Sequence, residues 1–235
     1  MDIYSAVSLV QRVKPRMVID TRSLVKVAGS KATLSRALTV LKKHGFVRGS
    51  AKGWVAFIDV IWQPMYVIES ILPSLKAFVE AKSIRCSKKI LNYREDLFVT
   101  LDWKAWELTG YQTPKNLYIY ADSLEEVKCR LGGADQGNIF GAGEELVYVL
   151  PKIGEFHNPI ERTYLDCIAR GGRSWLDAIA IELLYSHKLR VRASFPVELV
   201  EKVIEDLNSV MRKGERSGWS RAGLKRVQLI GGGRD

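Results

Sequence analysis

The chain is poor in the residues that most site chemistry needs. It has three cysteines and three histidines in 235 residues. Cys86, Cys129 and Cys167 stand far apart, with no C-x-x-C pair and no Cys/His cluster, which argues against a zinc site. Scattered, odd-numbered thiols suit a reducing compartment, so a cytoplasmic location is expected. His44, His157 and His187 have no visible partner residues, and each reads as structural rather than as a ligand or base. No apolar run approaches the roughly 18 residues of a membrane span. The N-terminus, MDIYSAVSLVQRV, lacks the basic n-region and cleavage site of a secretory signal. No membrane association is expected.

Acid is also scarce where the chain begins. Residues 1–62 hold eleven Lys/Arg against only Asp2, Asp20 and Asp59, a net +8 of the total +10. Residues 63–235 hold the other 25 basic and 23 acidic residues, a net +2. Such asymmetry points to a polyanionic partner for the first segment.

What is present there is a patterned stretch, GSKATLSRALTVLKKHGFVRGSAKGWVAF, residues 29–57. The spacing predicts a helix from about Lys31 to His44, N-capped by Ser30 and ended by Gly45. Leu34, Ala37, Leu38 and Leu41 fall at i, i+3, i+4 and i+7, one apolar stripe. The outer faces carry Lys31, Arg36, Lys42 and Lys43, with Thr33, Ser35 and Thr39 between them and no carboxylate. A helix built only for solubility usually mixes signs. One sign interleaved with hydroxyls suits phosphates and base edges. Phe46 to Arg48 and Trp54 to Ile58 then read as two strands around a Gly49–Gly53 turn. Helix, glycine, strand, basic turn, strand is the order of a winged helix, with Arg48 and Lys52 on the wing. The expected contacts to double-stranded DNA are Lys31, Thr33, Ser35, Arg36, Thr39, Lys42, Lys43, Arg48 and Lys52.

The rest of residues 2–60 completes that unit. A first helix covers 3–13 and stops at Pro15. Met17-Val18-Ile19 forms a short strand beside the wing, and Asp20 or Thr21 caps a helix over 22–28. Gln63-Pro64 marks a boundary. Residues 65–81 predict a helix that Pro73 restarts or kinks, burying Ile71, Leu75, Phe78 and Val79. Residues 82–95 are basic and read as a solvated face. Beyond them come a strand over 96–101 and a helix over 102–108 capped by Asp102. A strand over 117–120 and a helix from Ser123 to Leu131 with a Ser123/Glu126 capping box follow. Residues 132–143 hold five glycines, and 145–150 read as a strand. Helices are expected over 159–171 and 173–187, the second capped by Ser174, and 189–193 alternate like an exposed strand. A last helix starts at Pro196, and residues 212–235 form a tail of net +5. The fold class is therefore α+β. An N-terminal winged helix-turn-helix domain (1–62) precedes a mixed α/β C-terminal domain (63–211) and a basic tail (212–235).

Three segments resemble AbiEi-type antitoxins, the transcriptional regulators of type IV toxin–antitoxin systems. They are SKATLSRALTVLKKHGFV with its GSAKGW wing, VTLDWKAWELTGYQTPKNLYIY, and PIERTYLDCIARGGRSWLDAIAIELL with a buried-looking Asp166. The resemblance implies a protein whose winged helix binds operator DNA and represses its own promoter. It also implies a C-terminal domain that antagonises a toxin, a nucleotidyltransferase in this family, and no catalytic residues. The glycine-rich 132–143 segment and the basic tail depart from the family pattern.

Enzyme readings have less behind them. Asp122 with Glu126 and Lys128 has a nuclease-like D…E-x-K spacing that could hold Mg²⁺, the alternative being a DNA-targeted nuclease. The same residues fall where a capped helix is expected, and E-x-K is common by chance. Residues 132–143 contain no Walker G-K-[ST] and no G-x-G-x-x-G after a strand. No catalytic residue, metal or cofactor is expected.

Overall fold

The computed structural model describes residues 1–87, 97–130, 144–153 and 158–216, and within them the chain is mixed α+β. The first sixty residues run α1 (Ile3–Gln11), β1 (Val18–Asp20), α2 (Thr21–Ala28), α3 (Lys31–Lys43), β2 (Val47–Ala51) and β3 (Trp54–Phe57). Asp2 and Asp20 start α1 and α2 by the same device. Each carboxylate accepts the N–H of a serine three residues on, Ser5 at 2.8 Å and Ser23 at 2.9 Å. The three strands form an antiparallel sheet in the order β1-β3-β2. As the apolar Met17–Ile19 run predicts, Val18 and Ile19 lie opposite Ala56 and Val55. Ala6, Val7, Val10, Leu24, Leu34, Ala37, Leu41, Phe46 and Phe57 close the core between these helices and strands.

A short 3₁₀ turn, Asp59–Trp62, leads into α4 (Met65–Glu80). Pro73 neither ends nor restarts this helix but lies inside it. Val67, Ile68, Ile71 and Leu75 bury one continuous face on both sides of the proline. Burial of that face offsets the one hydrogen bond that proline forfeits. Val79, expected in the buried face, is instead 54% exposed. It sits where α4 runs past the end of α3.

The larger sheet combines β4 (Lys82–Ser87), β5 (Phe98–Thr100), β6 (Leu117–Ala121) and β7 (Glu144–Pro151) in the order β4-β7-β6-β5. Strands β6 and β7 are parallel, and the other neighbours are antiparallel. β4 was expected to be a solvated basic face. Among the described residues it is an edge strand paired with β7 alone, and an edge tolerates the cations that disguised it. Lys88, Lys89 and Arg94, the glycine-rich 132–143 segment, and most of the basic tail lie outside the described residues. β6 is buried on both faces. Tyr118 and Tyr120 join the main core, while Leu117, Ile119 and Ala121 pack with Val147, Val149 and Val127 of α6 (Leu124–Arg130).

α5 (Leu101–Thr109) follows β5 with no loop between them. The turn is made by Leu101, buried and at φ 55°, a left-handed conformation that a branched residue adopts at a cost of about 1–2 kcal/mol. Asp102 does not cap α5. Thr100 holds the cap position, and Asp102 accepts the backbone N–H groups of Lys115 and Asn116, each at 3.3 Å.

α7 (Pro159–Arg170) starts at an Asn158 cap whose Oδ1 accepts from Ile160 and Glu161. α8 (Ser174–Tyr185) follows after two glycines, and α9 (Val197–Arg216) ends the described chain. Ser174 does not cap α8, because Arg173 occupies the cap position and makes no side-chain cap bond. Residues 189–193, expected as an exposed strand, form none; Leu189, Val191 and Ala193 are half-buried, and the alternation runs on to half-buried Phe195. Side chains take the place of a neighbouring strand. Ser194 N–H donates to Gln63 Oε1 at 2.8 Å, and Gln63 Nε2 donates to Ser194 O at 2.6 Å. Ala193 N–H donates to Tyr164 OH and Arg190 N–H to Glu161 Oε1.

One polar cluster lies in the middle of this packing. Asp166, on α7, has no solvent exposure. Its Oδ2 accepts from Thr100 Oγ1 at 2.6 Å. Its Oδ1 accepts from Tyr120 OH at 2.9 Å and from Arg162 Nη2 and Nε at 2.8 and 3.0 Å. Replacing Asp166→Ala leaves the Arg162 charge buried without its partner, and about 3–5 kcal/mol of unfolding free energy should be lost. Lys104→Ala breaks only an exposed pair with Glu107 and should lose about 0–1 kcal/mol. Urea titration of both variants checks the contrast, and equal midpoints would contradict it.

Candidate nucleic-acid interface and the cleft behind it

The geometry of α3 follows from its two ends. Ser30 Oγ accepts the Thr33 N–H at 3.0 Å and starts the helix. At the other end Phe46 N–H donates to Leu41 O at 2.9 Å and Gly45 N–H to Lys42 O at 3.1 Å, a Schellman closure around Gly45 at φ 77°. Leu41 and Phe46 are both fully buried and complete that closure. Gly45 carries a second constraint. A Cβ there would stand 3.0 Å from Val79 Cγ2, so the end of α3 rests directly on α4.

The outer face of α3 is accessible. Lys31, Ser35, Arg36, Thr39, Lys42 and Lys43 are exposed, and Thr33 is half-buried beside the cap, its Oγ1 2.9 Å from Ser30 Oγ. Thr39 Oγ1 donates to Ser35 O at 2.9 Å, which holds that hydroxyl proton on the helix itself. Leu38, expected in the buried stripe, is only half-buried. It lies on the floor of a groove of about 370 Å³ between α3 and the β2–β3 hairpin, with Lys31, Ser35, Thr39 and Lys42 along one side and Ser50 on the other. Arg36 and Lys43 flank the groove rather than line it. The start of α2 is pinned to the hairpin turn, with Thr21 N–H donating to Gly53 O at 2.8 Å. Between Asp20 and Asp59 the sequence holds eight Lys/Arg and no acidic residue, and no carboxylate lines the groove.

The two cations expected together on the hairpin part company. Lys52 is exposed in the turn between β2 and β3. Arg48 turns the other way, its Nη2 3.6 Å from where a Gly171 Cβ would be, at the α7–α8 junction. The bulge between Val47 and Gly49 redirects the strand at this residue.

Arg48 therefore lines a second cavity, a cleft of about 540 Å³ behind the hairpin. Ile58, Leu75, Phe78 and Val79 form an apolar wall, and Tyr118, Asp102 and Asp177 form the floor. Arg48, Lys115, Arg170 and Arg173 stand around the rim, all four exposed. The Arg170 guanidinium lies 5.5 Å from the centre of the Tyr118 ring, which stacks on Tyr148 at 4.7 Å. Arg173 is held by Gln112 Oε1 and by Thr113 O. Asp177 is 4% exposed, and its Oδ1 has no hydrogen-bond partner among the described residues. Burial, with a smaller contribution from the Asp102 charge, pushes the Asp177 carboxyl up to about 7 from its ordinary 3.8. Cys167, fully buried nearby, has its thiol pushed up by the same burial, which leaves it a poor nucleophile.

The D…E-x-K residues take the helix-capping role. Glu126 N–H donates to Ser123 Oγ at 3.0 Å, and Glu126 Oε2 accepts from Asp122 N–H at 2.9 Å. The Asp122 carboxylate pairs with Lys152. Among the described residues no group of three or more His, Cys, Asp or Glu is placed to hold a metal ion, and no helix is long and apolar enough to cross a membrane.

The α3 groove was legible as a pattern, whereas the cleft was not. Its residues come from six separate stretches, and Asp102 and Ser174 had read as helix caps. The nearest signal was the A-R-G-G-R-S run over 169–174, two cations astride two glycines. Comparison of the chain with protein-family models, with curated proteins and with solved structures finds no match.

The raised Asp177 carboxyl has a sign that can be measured. Folded, it keeps its proton up to about pH 7, while unfolded it loses it near 3.8. Between those values the folded chain holds the extra proton, so this group's contribution falls by up to ~1.4 kcal/mol per unit as pH rises, and levels off above 7. His44 works in the opposite direction, since burial and then the Lys43 and Lys76 charges lower it. The comparison is therefore wild type against Asp177→Asn. Between pH 5 and 8 the wild type should lose on the order of 2 kcal/mol relative to the variant in urea unfolding. Parallel pH profiles would refute the assignment.

Proposed function

We propose that this protein is a DNA-binding transcriptional regulator, with residues 1–62 acting as a winged helix-turn-helix. In this reading α3 enters the major groove and the β2–β3 turn lies along the backbone. The observation that carries the reading is the outer face of α3: exposed, cationic, interleaved with hydroxyls, and in a stretch, residues 21–58, that holds no carboxylate. Lys31 and Lys42 stand over the groove with Ser35 and Thr39 between them, the arrangement in which side chains reach base edges while flanking cations meet phosphates. Arg36, Lys43 and Lys52 are the phosphate contacts. Arg48, facing the cleft, contributes least.

The resemblance to AbiEi-type antitoxins supports the same assignment and adds a partner. The protein represses its own operon and antagonises a nucleotidyltransferase-type toxin through the residues after α4. It carries out no chemistry on the DNA, and duplex incubated with it and Mg²⁺ should remain intact.

Fluorescence anisotropy with the duplex upstream of its gene tests the DNA assignment. Binding should weaken steeply with salt, and Arg36→Ala should lower the slope of log K against log salt by about 1. Lys42→Ala should weaken binding by about fivefold to a hundredfold, and Arg48→Ala by less than either. No binding at low salt, or equal effects of all three substitutions, would reject the proposal.

A further inference from the structure

The cleft behind the hairpin has the parts of a ligand pocket, and the α3 groove makes no use of them. Its buried carboxyl is the most informative part. An oxygen with no exposure and no partner loses the hydrogen bonds it makes in water, and native structures rarely leave one so without a reason. Asp177 Oδ1 is short of a donor. The rim calls for the opposite chemistry. Three guanidiniums from β2, the end of α7 and the start of α8 converge there, and a planar fork of donors matches a phosphate better than any other side chain does. α8 begins at the same rim with no side-chain cap, so the positive end of its dipole also faces an anion. Gly172 is exposed and has nothing within 4 Å of where a Cβ would be, which leaves its backbone open to close approach, while Gly171 is buried with Arg48 beside it.

One molecule must satisfy both demands. Phosphate alone brings acceptors to Asp177 and Asp102 and meets only the rim. A cation alone meets the floor and is repelled by the rim. We propose that the cleft binds a nucleotide, its phosphate against Arg48, Arg170 and Arg173 and the amino group of its base on Asp177. Ile58, Leu75, Phe78 and Val79 offer the base an apolar wall. The volume of about 540 Å³ is that of a small-ligand pocket. This site is independent of DNA binding by α3.

Isothermal titration of the full chain with AMP, GMP, CMP, UMP and inorganic phosphate tests it. At least one nucleotide with an amino-bearing base should bind ten or more times more tightly than UMP and phosphate. Arg170→Ala, at an exposed position, should weaken that nucleotide at least tenfold. Asp177→Ala should abolish its advantage over UMP and leave phosphate unchanged. If that variant does not fold, Arg48→Ala, also exposed, should weaken the nucleotide at least fivefold. No heat with any nucleotide, equal binding of nucleotide and phosphate, or unchanged affinity in Arg170→Ala would overturn the assignment.

Discussion

The buried charge on Asp166 is the constraint on which the C-terminal half of the structure depends. A carboxylate with no solvent exposure is stable only if its oxygens are fully engaged, because desolvating it costs several kcal/mol. Here the donors come from three elements: Thr100 at the end of β5, Tyr120 in β6 and Arg162 on α7. The cluster fixes the approach of α7 to the sheet. Sliding of the helix by one turn would carry Arg162 along with Asp166 but take the carboxylate away from the Thr100 and Tyr120 hydroxyls. Such a pair adds less net stability than an apolar substitute of the same shape, and its use is to exclude other arrangements. Tyr120 serves the same end. Burial and the Asp166 charge raise its hydroxyl far above its ordinary value, so it remains a donor at any physiological pH.

The position of the cleft follows from that anchor. Directly after Thr100, whose hydroxyl donates to Asp166, the chain turns from strand to helix, and Leu101 takes the left-handed conformation at that turn. The turn carries Asp102 to the opposite side, where it accepts from the 115–116 backbone and faces Asp177. The same helix that holds Asp166 ends one turn later at Arg170, so the anchor and the rim lie on one element. On the other side, Gly45 against Val79 sets how closely α3 and its hairpin approach α4. The cationic groove is lined by Val47, Ser50 and Val55 of the hairpin and the cleft by Arg48 of the same strand β2.

Local signals read well from the residues alone, and through-space ones did not. The caps at Ser30 and Ser123 and the Gly45 closure are written in residues three or four apart, and each has its expected counterpart, whereas the strand expected over 189–193 does not form. The basic edge strand β4 was hidden because charge at an edge resembles charge on a solvated face. Val79 and Leu38 obeyed helical spacing but lie beside cavities that no spacing reveals. Asp102 and Ser174 had the residue types of caps, yet tertiary bonds and the αR conformation of Arg173 gave those positions other work. Asp166 was legible as buried, but its three donors, 4 to 66 residues away, were not. Asp177 gave no sign of itself, since a lone acid in an apolar helix usually marks the solvent side.

The clasp between Gln63 and Ser194 sets an order of events as well as a shape. Gln63 is 3% exposed, and its amide meets a backbone 131 residues downstream as a single rung of a ladder would. Until that segment arrives, the Gln63 side chain lacks both of these bonds. Contacts across so long a stretch of chain carry the largest loop-closure entropy and come late. The three-stranded sheet needs no residue beyond Phe57, whereas the clasp can close only after Ser194 has been made.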